Sequence, residues 1–276
     1  MTCPETDIRT PGWALTVEEL RVVGLIAGVS LPSMLDLDLG DEDTALAEAF
    51  ATRSLVARGL AVLDDKPSAA LAPGAAAQLS PLLAPAVVVE VVVDVGADEP
   101  SRHVAVADQA GGVLSLGQRE LDIWRVDRQD ATLAGVVWSL LELPASTVPP
   151  TSTQLTMPAA VMVETERLAR AGRWADLEQQ LVDAGVDDTT ATRWLNARRQ
   201  QRLAGTVRLA RLVRADVYEL GEVRWMDAGP AGVWRLAGGD DGDGDEENVD
   251  SAPSVFIEDV GEAAVRDDLR ALIGDE

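Results

Sequence analysis

Cysteine, histidine and lysine are almost missing: Cys3, His103 and Lys66 are the sole residues of their kinds among 276. A single cysteine in a polar N-terminal stretch excludes an internal disulfide framework and a thiolate metal cage, and fits a reducing compartment. A single histidine leaves only one side chain that ordinarily titrates near neutral pH. His103 opens a predicted strand beside Arg102, with no Ser or Cys at a motif spacing, and reads as a surface position. Lys66 precedes Pro67, so there is no Walker-type Gly-Lys-Ser/Thr, and no Gly-x-Ser-x-Gly elbow occurs. The glycines near the predicted hairpins lie between strands, the wrong setting for a phosphate cradle. Long apolar runs are lacking too. Pro85 to Val95 is broken by Glu90 and Asp94 and falls far short of the roughly 20 residues of a bilayer span. The first residues show no basic region followed by an apolar run, so they do not read as a secretory signal. These absences point away from an enzyme, a cofactor or metal protein, and a membrane protein, and toward a cytoplasmic one.

Acid is plentiful: 47 Asp and Glu face 23 Lys and Arg, a formal charge of -24. Such a mean field repels nucleic-acid phosphates and anionic lipid surfaces alike. With 47% apolar residues the chain buries a large core, or two coupled ones.

The order of predicted elements occurs twice. Thr16 as N-cap with Glu19 three positions on makes a capping box for a helix over Thr16 to Ala27, closed by Gly28. A helical stretch after Asp43-Thr44 carries Leu46, Phe50, Leu55 and Leu60 and is expected to split around Thr52-Ser54. Pro73 to Ala84 reads as a short helix, and the valine run from Val87 as a central strand. Strands over His103 to Asp108, Gly112 to Leu116 and Leu121 to Val126 follow, then a helix over Gln129 to Leu143. Residues 146–155 form a proline- and Ser/Thr-rich connector. Beyond it come helices over Pro158 to Ala171, Ala175 to Ala184 and Thr189 to Gln201, a strand over Thr206 to Arg214, and a hairpin.

Two alignments support duplication. Val104-Ala105-Val106-Ala107-Asp108 before Gly112-Val113 matches Val223-Arg224-Trp225-Met226-Asp227 before Gly232-Val233, and Leu133, Val137, Leu140 and Leu141 answer Val265, Leu269, Leu272 and Ile273. The expectation is an α+β fold of two pseudo-symmetric halves, each helices plus a mostly antiparallel four-stranded sheet and a closing helix, related by a quasi-twofold axis. The halves are 13–145 and 156–276, after a tail at 1–12. The strands Val87 to Val95 and Thr206 to Arg214 are expected near the axis, where Glu90 and Asp94 either face Arg208, Arg211 or Arg214 or point to solvent.

Three other features bear on function. Asp241, Asp243 and Asp245 alternate as in an EF-hand loop, but Glu246 stands where the turn needs glycine and Ala252 where a bidentate Glu is needed. The run 238–251 therefore reads as a self-repelling acidic loop between two strands. Residues 44–74 resemble the recognition helix and wing of a winged-helix regulator, with only Arg53 and Arg58 as basic residues between Ser30 and Lys66. Trp225 and Trp234 lie on two arms of one hairpin, where outward rings would anchor a partner and inward rings would be core.

Taken in order, Leu15 to Leu20 with Leu31-Pro32, the hairpin Val223 to Leu236 and the closing segment Val265 to Ile273 resemble the EspG family, chaperones of type VII (ESX) secretion in actinobacteria. The likeness runs from about Trp13 to Gly274. It departs at Asp227-Ala228, at Gly232-Val233-Trp234 and in the acidic insertion. The resemblance implies a quasi-twofold fold without cofactor that holds the apolar tip of a PE–PPE pair until export. An apolar contact around Trp225 and Trp234 would then carry a polar rim from the loop containing Asp98, Glu99, Pro100 and Arg102.

Overall fold

The computed structural model describes residues 12–35, 44–63, 69–96, 100–120, 122–145, 147–214, 217–238 and 254–274. The first half runs β1 (Trp13–Thr16), α1 (Val17–Ala27), a 3-10 turn (Ser33–Leu35), α2 (Thr44–Ala57), a small hairpin of β2 (Ala61–Leu63) and β3 (Ala69–Leu71), α3 (Pro73–Leu83), β4 (Pro85–Asp94), β5 (Ser101–Asp108), β6 (Val113–Glu120), β7 (Ile123–Gln129) and α4 (Leu133–Leu140). The second runs β8 (Gln154–Pro158), α5 (Ala159–Arg170), α6 (Trp174–Asp183), α7 (Asp188–Arg199), β9 (Leu203–Arg214), β10 (Val217–Asp227), a 3-10 turn (Gly229–Ala231), β11 (Val233–Gly238), β12 (Ser254–Asp259) and α8 (Gly261–Ile273).

Ten strands make one antiparallel sheet in the order β1-β7-β6-β5-β4-β9-β10-β11-β12-β8. Read outward from the β4–β9 seam, the two flanks repeat one order, each ending in the strand that opens its half. At the seam Glu90 lies opposite Arg208 and Val91 opposite Val207. Each flank has five strands rather than four. The added ones, β1 and β8, are short outer strands, and β8 begins at Gln154, inside the stretch that reads as connector.

The sheet is covered on both faces. Val89, Val91 and Val93 pack with Trp225, Val136, Val137, Val265 and Leu269 beneath the two closing helices, α4 and α8. On the opposite face Val88, Val104 and Val106 pack against α1, α2 and α3, while Met226, Trp234 and Ile257 pack against α5, α6 and α7. Each fully buried valine contributes about 1.5–3 kcal/mol, and valines occupy successive positions on either side of Glu90 in β4 because both of its faces are interior.

Local signals become contacts. Thr16 Oγ1 accepts from the Glu19 amide at 3.2 Å, and Glu19 Oε2 accepts from the Thr16 amide at 3.1 Å. Glu19 is buried and also accepts from Ser54 Oγ at 2.6 Å and Arg58 Nη1 at 2.8 Å, tying α1 to α2. The expected break at Thr52-Ser54 is absent: Thr52 Oγ1 donates back to the Glu48 carbonyl and Ser54 to Glu19, so both hydroxyls are satisfied inside one continuous helix. Leu46 and Phe50 face outward, whereas Ala51 and Leu55 face the core. Among the described residues no helix is long and apolar enough to cross a membrane.

Candidate partner-binding groove

Both aligned hairpin aspartates sit at the end of a strand and hold the following turn. Asp108 Oδ1 accepts from the amides of Ala110 and Gly112 at 2.9 and 2.8 Å. Asp227 Oδ1 accepts from the Gly229 amide at 2.7 Å, and its Oδ2 takes Arg202 Nη2 at 2.9 Å. Gly232 follows with φ 96°, a left-handed conformation that favours glycine.

The tryptophans of the second hairpin are not surface anchors. Trp225 and Trp234 are each 1% exposed. They occupy neighbouring strands but point to opposite faces. The Trp225 ring lies over Gly205 beneath the closing helices. Trp234 meets Trp194 edge-on at 5.3 Å and donates its Nε1 hydrogen to the Ala231 carbonyl at 2.9 Å. A solvent-facing ring would need a hairpin with one bare face, and this sheet has helices on both. Of the expected rim residues, Asp98 and Glu99 lie outside the described residues, as does 239–251 of the acidic run. Pro100 is exposed. Arg102 is tied into the fold: its Nε meets Glu90 at 2.7 Å, its Nη2 reaches the Met34 carbonyl at 2.5 Å, and its guanidinium lies 5.9 Å from the Trp124 ring.

Arg102 begins a charged ladder across four central strands. Glu90, 3% exposed, takes Arg102 on one carboxylate oxygen and Arg208 Nη1 at 3.0 Å on the other. Arg208 Nε meets Glu222 at 2.7 Å, and Glu222 also pairs with Arg224. The hydrogen bond to Glu222, followed by that to Glu90, holds the Arg208 guanidinium above its ordinary pKa against the opposing effect of burial. Of the two alternatives for Glu90, an arginine across the junction or solvent, the structure has the first, with Arg208. Asp94 instead accepts from the Gly96 amide at 2.8 Å, at the end of its own strand.

The ladder runs into an open groove of about 380 Å³. Ala204, Thr206, Arg224 and Leu236 contribute to its sheet side. Ala169 and Arg170 at the end of α5, and Trp174 at the start of α6, contribute to its helical side. The wall is braced by Arg198, whose Nη2 meets Glu166 at 2.5 Å. Trp174 is half-buried, and the Arg199 guanidinium stands 5.3 Å from its ring centre. Sequence reasoning did not single out Trp174. Its signal was the Gly172-Arg173-Trp174 turn, where Gly172 is left-handed at φ 66° and the ring opens a new helix at the rim of a layer.

The winged-helix resemblance ends at this level. Residues 44–74 do hold a helix followed by a small hairpin. However, Arg58 is engaged by Glu19 and the Ala14 carbonyl, and Arg53 lies 5.9 Å from the Phe50 ring. Among the described residues of this stretch no further basic side chain remains to meet a phosphate backbone.

The arrangement is that of an α+β scaffold with an open groove between its sheet and its second helical layer. The type VII secretion chaperone EspG5 of Mycobacterium tuberculosis, solved in complex with a PE25–PPE41 dimer, has the same fold: the match covers 94% of each chain with a TM-score of 0.53 and 14% identity. Neither the models of known protein families nor the curated proteins give a match to this sequence.

Proposed function

We propose that this chain is a cytosolic chaperone for a PE–PPE-type substrate of type VII secretion, and that the groove beside α5–α7 receives the substrate's apolar tip. The fold shared over nearly the whole length with a chaperone seen in complex with a PE–PPE dimer supports this reading most directly. The groove adds to it, joining apolar surface from Ala169, Trp174 and Leu236 to a charged rim. A secreted helical protein with an exposed apolar end aggregates in the cytosol. A partner that binds only the folded substrate lowers the free concentration of that species by mass action. Holding of this kind requires no catalytic group.

Co-expression of the full chain with PE–PPE pairs of the same genome, followed by size exclusion, tests the proposal. One pair is expected to co-elute with the chain and to stay soluble only in its presence. Separate elution of every pair would end the proposal.

A further inference from the structure

The groove reverses the charge balance of the molecule. Acids outnumber bases about two to one over the chain, 47 against 23. Around the groove Arg170, Arg198 and Arg224 outnumber Asp94 and Glu166. Two of those bases have acidic neighbours, since Arg198 meets Glu166 and Arg224 meets Glu222. Arg170 has no acidic partner among the described residues, and neither does Arg199, which stacks on Trp174. By contrast Arg167 and Arg173, which flank the same turn, are each paired with an acid three residues away. An exposed arginine without an acidic partner beside a half-exposed tryptophan has the composition of an interface hot spot.

Resting on the proposed function, we infer that Arg170 and Arg199 select the partner: the substrate tip presents a carboxylate next to a large apolar side chain. The apolar group packs on Trp174, and the carboxylate pairs with Arg170 at the rim while Arg199 holds the ring from behind. Charge complementarity favours this occupant. A scaffold of formal charge -24 repels an acidic partner at a distance. Acceptance of one therefore has to be local, at a spot where cations stand free. Such a spot distinguishes tips by the presence of the carboxylate, because a partner without it leaves the guanidinium desolvated and unpaired.

The test uses the full chain and a PE–PPE pair that co-elutes with it, with Kd measured for the wild type and for Arg170→Glu, Arg199→Ala and Arg53→Glu. Arg53 is exposed on α2 in the other half, so its reversal changes net charge by the same amount as Arg170→Glu. Arg170→Glu is expected to weaken binding about tenfold or more, Arg199→Ala less, and Arg53→Glu within about twofold. Replacing the tip carboxylate of the substrate by Arg should restore binding to Arg170→Glu alone. Both arginines are exposed, and an unchanged urea midpoint shows that each variant is folded. Equal losses at Arg170 and Arg53, or no loss at Arg170, overturn the inference and leave the chaperone reading standing. A wild-type chain that binds no pair sinks the chaperone reading itself. Wild-type self-association lost in Arg170→Glu would assign the groove to a second copy and overturn the inference.

Discussion

Two glycines in neighbouring central strands offer the same substitution with opposite results. Neither Gly205 in β9 nor Gly221 in β10 has a positive φ, so alanine fits both backbones. Where space allows, Gly→Ala stabilises by about 0.4–1 kcal/mol through the unfolded chain. At Gly205 a methyl group would stand no farther than 2.5 Å from Cζ2, Cε2 and Cη2 of Trp225. That ring is 1% exposed and packed beneath the closing helices, so it cannot swing aside without displacing the core. Overpacking of this sort costs about 1–3 kcal/mol, and the steric term wins, for a net loss of about 1–2 kcal/mol. At Gly221 the methyl meets only the Cδ1 tip of Leu272, whose Cγ is 3.9 Å away. Leu272 sits at the half-buried end of α8 and can change rotamer. Gly221→Ala is therefore expected within about 0.5 kcal/mol of the wild type or slightly above it. Urea unfolding followed by circular dichroism reads both, provided the m value is unchanged. In a Trp225→Phe background the smaller ring should remove most of the Gly205→Ala penalty. Equal midpoints for the two alanine variants would refute the placement of the indole over Gly205.

Glu90→Gln leaves Arg102 and Arg208 around a neutral amide at a buried point. A loss of about 2–4 kcal/mol is expected, below the full value for a broken buried pair because Arg208 is half exposed. That loss should persist at high salt, which screens exposed pairs far more than buried ones, and a midpoint shift that vanishes in salt counts against the buried ladder. Asp227→Ala removes the buried acceptor of the Gly229 and Ala145 amides, with Arg202 more exposed beside it, and should cost about 2–3 kcal/mol. Asp108→Ala, at the equivalent but more open turn, should cost about 1 kcal/mol, and equal costs would contradict the difference in burial. Burial lowers the pKa of His103 below its ordinary 6.5. The unfolded chain thus binds more protons between the folded pKa and that value, and stability rises with pH across this window. This contribution is complete above pH 6.5 and declines on acidification. His103→Asn should flatten the slope of urea midpoint against pH between about 5 and 7, whereas an unaltered slope excludes the buried neutral ring.

The repeated plan was legible wherever a turn needs a specific residue. Asp108 and Asp227 align in sequence and cap the same turn in space, and the Thr16–Glu19 box forms as the spacing predicts. The closing helices were legible from their apolar spacing: Val137 and Leu269 are both fully buried in the one core beneath them. The outer strands were hidden because four or five residues are too short for alternation to stand out. β1 leads directly into a capping box, and β8 ends at a proline. The choice between core and anchor for Trp225 and Trp234 stayed open for a related reason. Alternation along a strand says which residues share a face, but not whether the other face meets solvent. Trp174 stood apart from these signals, since its exposure depends on where one helical layer stops.

That stopping point sets the two flanks of the sheet apart. On the first side of the seam the Ser33–Leu35 turn lies over β5, with the Met34 carbonyl bound by Arg102 and Leu35 only 1% exposed. The side chains of β5 there are already occupied, by Glu90, by Trp124 and by that turn. On the second side, α5 ends at Arg170 and α6 starts at Trp174, leaving Ala204, Thr206 and Arg224 uncovered between them and the ladder. Strands at matching places in the sheet order are therefore covered differently: the chain's own turn lies over Arg102 on β5, whereas the groove beside β9 and β10 stays open. Filling that groove from within tests whether it is the proposed docking surface. Thr206→Trp, on the groove floor and paired with Val92 and Arg224 rather than with core valines, should leave the urea midpoint within about 1 kcal/mol of the wild type while abolishing capture of a PE–PPE pair. A variant that still binds its pair at wild-type affinity would place the docking surface elsewhere on the molecule.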